Sequence, residues 1–133
     1  MIVADTNLIA YLLLDGEYTS QAEAVFQKDA DWFAPYLWRS EFRNILALYL
    51  RKKLMSFDEA TEIIVRAETL LADREREVQS ATVLNLVLTS SLSAYDCEYV
   101  ALARQLNTVL ITSDRQIIRA FGEIAISPTD FIA

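Results

Sequence analysis

Residues 1–14 read "MIVADTNLIAYLLL" and change character within a few positions. Residues 2–5, "IVAD", read as a short buried strand, an apolar run closed by Asp5. Thr6 or Asn7 is placed to cap a helix over about 8–14, which Asp15-Gly16 ends. A carboxylate therefore sits at the end of a buried strand, with no Lys, Arg or His near it in sequence. Such a group is costly to bury unless something pairs with it or binds it.

The same strand-then-helix reading continues along the chain. Residues 19–29 form a second helix, and "DWFAP" (31–35) is a strand stopped by Pro35. A long helix follows over about 36–52 and ends in Arg51-Lys52-Lys53, which suits the negative end of the helix dipole. Ser56 and Glu59 make a capping box, and an apolar stripe of Phe57, Ala60, Ile64, Ala67 and Leu71 follows. Further helices are expected over about 80–89 and from Ser93 to about 106. "TVLIT" (108–112) is a β-branched strand, 115–121 a short helix, and "EIAIS" (123–127) a last strand. Strands separated by helices require crossover connections. The expectation is an α/β fold: one domain over 1–133, with a central parallel sheet of about four to five strands flanked by helices.

Composition narrows the chemistry. The chain of 133 residues is 53% apolar with few Gly and Pro, enough for a sizeable core. Its net charge of −7 argues against a general electrostatic grip on nucleic acid. It leaves room for a nucleic-acid enzyme whose acids hold cations. His is absent and Cys97 is the sole cysteine. That excludes an internal disulfide, Ser-His-Asp and Cys-His catalysis, and His-containing or Cys-based zinc sites. No basic leader precedes Asp5, and the uncharged run from Val78 to Tyr95 carries repeated Ser and Thr plus Asn85, so it reads as a helix and turn rather than a membrane span. A cytoplasmic location is expected.

Ligands of open α/β sheets bind beyond the carboxyl ends of the strands. Asp5 and Asp114 directly follow apolar strands there. Glu41 lies in the first turns of the helix after Pro35, and Asp96 in the first turn after Ser93. Each has an ordinary structural reading: Asp114 as a helix cap, Asp96 at a capping-box position, Asp5 supporting the Thr6-Asn7 turn, Glu41 paired with Arg39 or Arg43. If all four meet in one crevice they repel unless cations neutralise them. Hard ions such as Mg²⁺ or Mn²⁺ suit an all-oxygen site.

Four segments, "VADTNLIAYLL", "PYLWRSEFRNIL", "LSAYDCEYVALARQL" and "LITSDRQI", resemble the signature segments of PIN-domain ribonucleases. The likeness is closest to the VapC-like toxins of toxin–antitoxin pairs and spans essentially the whole chain. It implies that Asp5, Glu41, Asp96 and Asp114 are catalytic, metal-binding acids, with Thr112 and Thr6 as supporting hydroxyls. Glu98, two positions beyond Asp96, points to another side of its helix. The implied activity is Mg²⁺- or Mn²⁺-dependent endoribonuclease cleavage of structured RNA (tRNA or rRNA), inhibiting translation, through a metal-activated water that leaves a 5′-phosphate. Arg39, Arg43, Arg115 and Arg119 are candidates to grip RNA phosphates, and Trp38 to pack or to stack on a base. Tyr95 and Tyr99 read as core or interface residues. The resemblance also implies a homodimer and an antitoxin whose basic C-terminal segment enters the acidic site. Exposed apolar faces on helices 8–14 and 45–50 would serve such interfaces.

Two other classes compete. A phosphohydrolase with an aspartyl nucleophile requires an acid two residues after the first, where Asn7 stands; a receiver domain needs a suitably placed Lys, and Lys occurs only at 28, 52 and 53. A non-catalytic PIN-like binding module has no need of all four acids.

Overall fold

The computed structural model describes residues 1–133. Its first strand, β1 (Ile2–Ala4), is buried on both faces. Ile2 and Ala4 pack into one apolar core and Val3 into another. This period of two recurs in β2 (Trp32–Pro35), where Trp32 and Ala34 enter the first core and Phe33 abuts the second. The remaining strands are β3 (Glu75–Arg76), β4 (Leu110–Ile111) and β5 (Ala125–Ile126). All five pair in parallel, in the order β3-β2-β1-β4-β5. Parallel strands need crossovers, and helices supply them on both faces.

The first core is covered by α1 (Thr6–Leu13), α2 (Thr19–Lys28), α3 (Leu37–Arg51), α4 (Phe57–Leu70) and the short α8 (Pro128–Ile132). On the opposite face lie α5 (Ser80–Leu88), α6 (Ala94–Gln105) and α7 (Arg115–Ala120). The expected α/β architecture and parallel sheet are therefore present. No helix is long and apolar enough to cross a membrane, and the uncharged run from Val78 is split between α5 and the turn before Ser93.

Three local readings need correction. Asp5 itself caps α1, which starts at Thr6 rather than at 8. The strand β3 was not expected, because two charged residues carry no strand pattern; the backbone of Ala34 recruits it by donating to the carbonyl of Arg74 at 3.2 Å. The helix α8 was also not expected, although Ser127 caps it and Pro128 starts it.

Candidate active site

Because the strands run in parallel, their carboxyl ends share one edge of the sheet. Asp5 leaves β1 there, and Asp114 follows β4. Glu41 is the fifth residue of α3 and Asp96 the third of α6. The four carboxylates line one pocket of about 260 Å³, with Thr6, Asn7, Asn44, Ile45, Tyr99 and Ile117. No Lys or Arg lines it.

Hydrogen bonds fix the acids. Asp5 is 8% exposed, and its Oδ1 accepts from the backbone of Leu8 at 2.8 Å. Its Oδ2 accepts from the hydroxyl of Thr112 at 2.5 Å. Thr112 in turn accepts from the backbone N–H of Asp114 at 3.0 Å, so one hydroxyl ties the ends of β1 and β4 together. Asp114 also caps α7, accepting from Gln116 and Ile117. Its capping role and its place in the pocket therefore coexist.

Glu41 pairs with neither Arg39 nor Arg43. Its Oε1 accepts from Thr6 at 2.9 Å and from the hydroxyl of Tyr99 at 2.5 Å. The Thr6 and Tyr99 oxygens also lie 2.5 Å apart, so two hydroxyl protons are shared among three oxygens. Tyr99 is thus a residue of the site as well as of the core; its spacing of three from Asp96 puts both on adjoining positions of α6. Tyr95, by contrast, is exposed.

Asp96 sits three residues after the cap Ser93, whose hydroxyl accepts from the Asp96 backbone. At Ser56–Glu59 the equivalent acid reaches back to the cap's own N–H and closes the box. No such return bond forms at Ser93, and the Asp96 carboxylate lines the pocket instead.

The electrostatics show the crowding. Burial pushes the Asp5 carboxyl up to about 6, against the bonds from Thr112 and Leu8 and with help from Glu41 and Asp114. Asp96 is raised by burial first, then by Asp114 and Glu41. Burial and the Glu41 charge hold the Tyr99 phenol well above its usual range, so it remains a donor. Glu98 is raised by burial and by Glu41, yet does not line the pocket.

The donor set fits a hard divalent cation: oxygen ligands only, excess negative charge, and no basic side chain to neutralise it. No three acids stand at direct-ligand spacing in this conformation. A cation that keeps several waters needs only one or two direct carboxylates.

The candidate RNA-binding arginines divide. Arg39 is committed to Glu75 through Nε at 2.6 Å and Nη2 at 2.8 Å, and to Glu68 through Nη1 at 2.7 Å. Trp38 is fully buried and donates to Glu75, so it packs and does not present a face to a base. Arg43, Arg115 and Arg119 are exposed, form no ion pair, and lie outside the pocket lining.

A parallel α/β sheet with an acidic pocket at its carboxyl edge, lined by four carboxylates and by no Lys or Arg, defines a class of domain built around clustered carboxylates. Comparison with known proteins narrows it. The PIN domain family model matches residues 2–123. Ribonuclease VapC3 of Pyrobaculum aerophilum is 30% identical over 125 residues, spanning 90% of this chain and 94% of that protein. The chain belongs to the PIN domain family, among its VapC-like members. The fold agrees with FitAcB of Neisseria gonorrhoeae at a TM-score of 0.77 and 20% identity, covering 97% of this chain and 99% of that one. It also agrees with PAE2754 of Pyrobaculum aerophilum at a TM-score of 0.72 and 19% identity, covering 98% and 92%.

Proposed function

We propose that this protein is a Mg²⁺- or Mn²⁺-dependent endoribonuclease, the toxin of a toxin–antitoxin pair that cleaves structured RNA in the cytoplasm and inhibits translation. One observation carries the reading: four carboxylates and no basic side chain line a single pocket at the carboxyl edge of the sheet. The relative named Ribonuclease VapC3 supports the nuclease assignment.

Asp5, Glu41, Asp96 and Asp114 would hold the cation. When bound, the ion supplies positive charge for a phosphodiester and acidifies a water. The chain's own residues do the positioning. Thr112 holds Asp5 against the end of β4, and Tyr99 with Thr6 fixes one oxygen of Glu41. Asp96, raised in proton affinity by burial and its acidic neighbours, is suited to take a proton from the attacking water. Of the four candidate arginines, Arg43, Arg115 and Arg119 are left free to meet RNA phosphates.

Two surfaces support the partner reading. Leu12, Leu13, Phe26, Val65 and Leu70 line an open apolar groove between α1, α2 and α4, suited to an antitoxin segment. Leu48 on α3 is exposed and suits a homodimer; Leu84 and Leu88, exposed on α5, lie on the opposite face of the sheet. Helix α1 itself is mostly covered, so its contribution is confined to the groove.

The test is cleavage of a panel of structured RNAs by the purified chain freed of antitoxin. Chelation should abolish cleavage, and Mg²⁺ or Mn²⁺ should restore it, leaving 5′-phosphate ends. Activity that survives thorough chelation refutes the metal mechanism.

A further inference from the structure

We infer that a second pocket, walled by tyrosines beside the carboxylates, receives an unpaired nucleobase next to the phosphate being cleaved. The inference rests on the nuclease reading above. This pocket has a volume of about 260 Å³ and shares Asn7 and Ile45 with the acidic one, so the two adjoin on one surface. Tyr11, Tyr18 and Tyr49 contribute its aromatic lining. The rings of Tyr11 and Tyr18 lie 4.9 Å apart at 43°, each bracing the other.

The wall is set in place before any ligand arrives. Thr19 accepts from the backbone of Gly16 at 3.0 Å and donates to the carbonyl of Leu14 at 3.0 Å. That pair of bonds ties the α1–α2 turn that carries Tyr18. Tyr18 remains 48% exposed, an open aromatic surface on a braced support. Asp15 and Glu17 line the same pocket and are exposed. Carboxylates accept and do not donate, so they repel a phosphate while accepting from base N–H groups. A base enters such a pocket; a sugar–phosphate backbone does not.

Unpaired bases are commonly recognised by stacking on aromatic side chains with hydrogen bonds to their edges. A base seated on Tyr18 would add binding energy next to the acids that is equal in the ground and transition states, so its loss moves KM and not kcat. Stacking of this kind is tolerant of base identity, so Tyr18 acts on substrate affinity more than on the chemical step.

Tyr18→Ala, Tyr18→Leu and Tyr18→Phe test this against wild type. Binding of fluorescein-labelled stem–loop RNAs with unpaired loops, drawn from the structured panel above, is read by anisotropy, with Ca²⁺ as the divalent ion. Cleavage of the same RNAs is read in Mn²⁺ as separate KM and kcat. Tyr18→Ala should weaken binding and raise KM by about tenfold, the scale of one base–aromatic stack, with kcat within about twofold. Tyr18→Phe should match wild type. Tyr18→Leu keeps apolar volume against Tyr11 without a flat ring; it should resemble Ala, and it replaces Ala if circular dichroism shows that variant unfolded. Equal RNA affinity in wild type and the folded non-aromatic variant overturns the inference and leaves the pocket to a protein side chain. Absence of RNA binding by wild type overturns it as well. If wild type binds RNA but cuts none, the nuclease reading fails, and the anisotropy comparison still decides the pocket.

Discussion

At the residue scale, Asp5 holds two roles with opposite demands. As a cap it contributes stability by accepting from Leu8. As a buried carboxylate among other acids it costs stability whenever it is ionised. Its folded pKa of about 6 lies above its ordinary value of 3.8. Between those values the native state holds a proton that the unfolded chain releases, so stability falls as pH rises through the window. Above about pH 6 the full cost applies, about 3 kcal/mol at 1.36 kcal/mol per pKa unit. Asn caps helices about as well as Asp, but its amide disrupts the bond that Thr112 donates, at about 1 kcal/mol. Metal-free Asp5→Asn should therefore be more stable than wild type by about 1–2 kcal/mol at pH 7.5 in urea titrations. The gap should close by pH 4, and saturating Mg²⁺ should favour wild type. A less stable variant at pH 7.5 would make Asp5 chiefly a structural cap. Nuclease activity should be lost.

Tyr99 gives a second prediction at this scale. Tyr99→Phe removes one of the two donors to Glu41 and keeps the ring in the second core. Cleavage should fall about tenfold, mainly in kcat, and the Mg²⁺ concentration needed for half activity should rise. Thr6 still donates to Glu41, so activity should not vanish. Unchanged kinetics would show that Glu41 needs no orientation from α6.

At the element scale, the ends of α3 and α6 carry an avoidable cost. Only two glycines occur in the chain, and neither follows these helices. Lys53 and Asn107 take the left-handed conformation instead, with φ of 57° and 53°. Both helices still close as Schellman motifs. Lys53 donates to Leu50 and Leu54 to Tyr49; Asn107 donates to Arg104 and Thr108 to Ala103. A Cβ in that conformation costs about 1–2 kcal/mol, and Asn bears it more easily than Lys. Lys53→Gly should stabilise the protein by about 0.5–1 kcal/mol, after the entropy cost of glycine in the unfolded chain. The melting temperature should rise by a few degrees, with activity unchanged. A fall would mean that the Lys53 side chain has a role of its own. The start of α3 is anchored differently: Arg39 clamps it to β3 and α4 through Glu75 and Glu68. This clamp lies two residues from Glu41, so it sets the site's frame although it takes no part in the pocket.

At the scale of the whole molecule, the exposed apolar helices separate assembly from folding. Leu46 is buried in the first core, whereas Leu48, two positions on, is 49% exposed. Leu46→Glu places a charge where water cannot reach it and should unfold the chain. Leu48→Glu leaves the core intact. It should shift a dimer toward monomer in sedimentation at micromolar concentration while the far-ultraviolet circular dichroism stays native. A wild type that is monomeric throughout that range would remove the homodimer from the functional picture.

Much of the fold was legible because its signals are local. Apolar runs, caps and the capping box at Ser56–Glu59 depend on residues a few positions apart, and the α/β order follows from their alternation. The four acids were legible too, since parallel strands all end at one edge and Asp5 and Asp114 sit at such ends. Only the tertiary structure decided the partners of those acids. Tyr99 reaches Glu41 across 58 positions, Thr112 reaches Asp5 across 107, and Arg39 turns to Glu75 across 36. Strand β3 likewise exists because β2 offers it an edge, not because "ER" favours a strand. A hydrogen bond or ion pair of this kind depends on where two distant backbones are brought together, and no spacing along the chain encodes that distance.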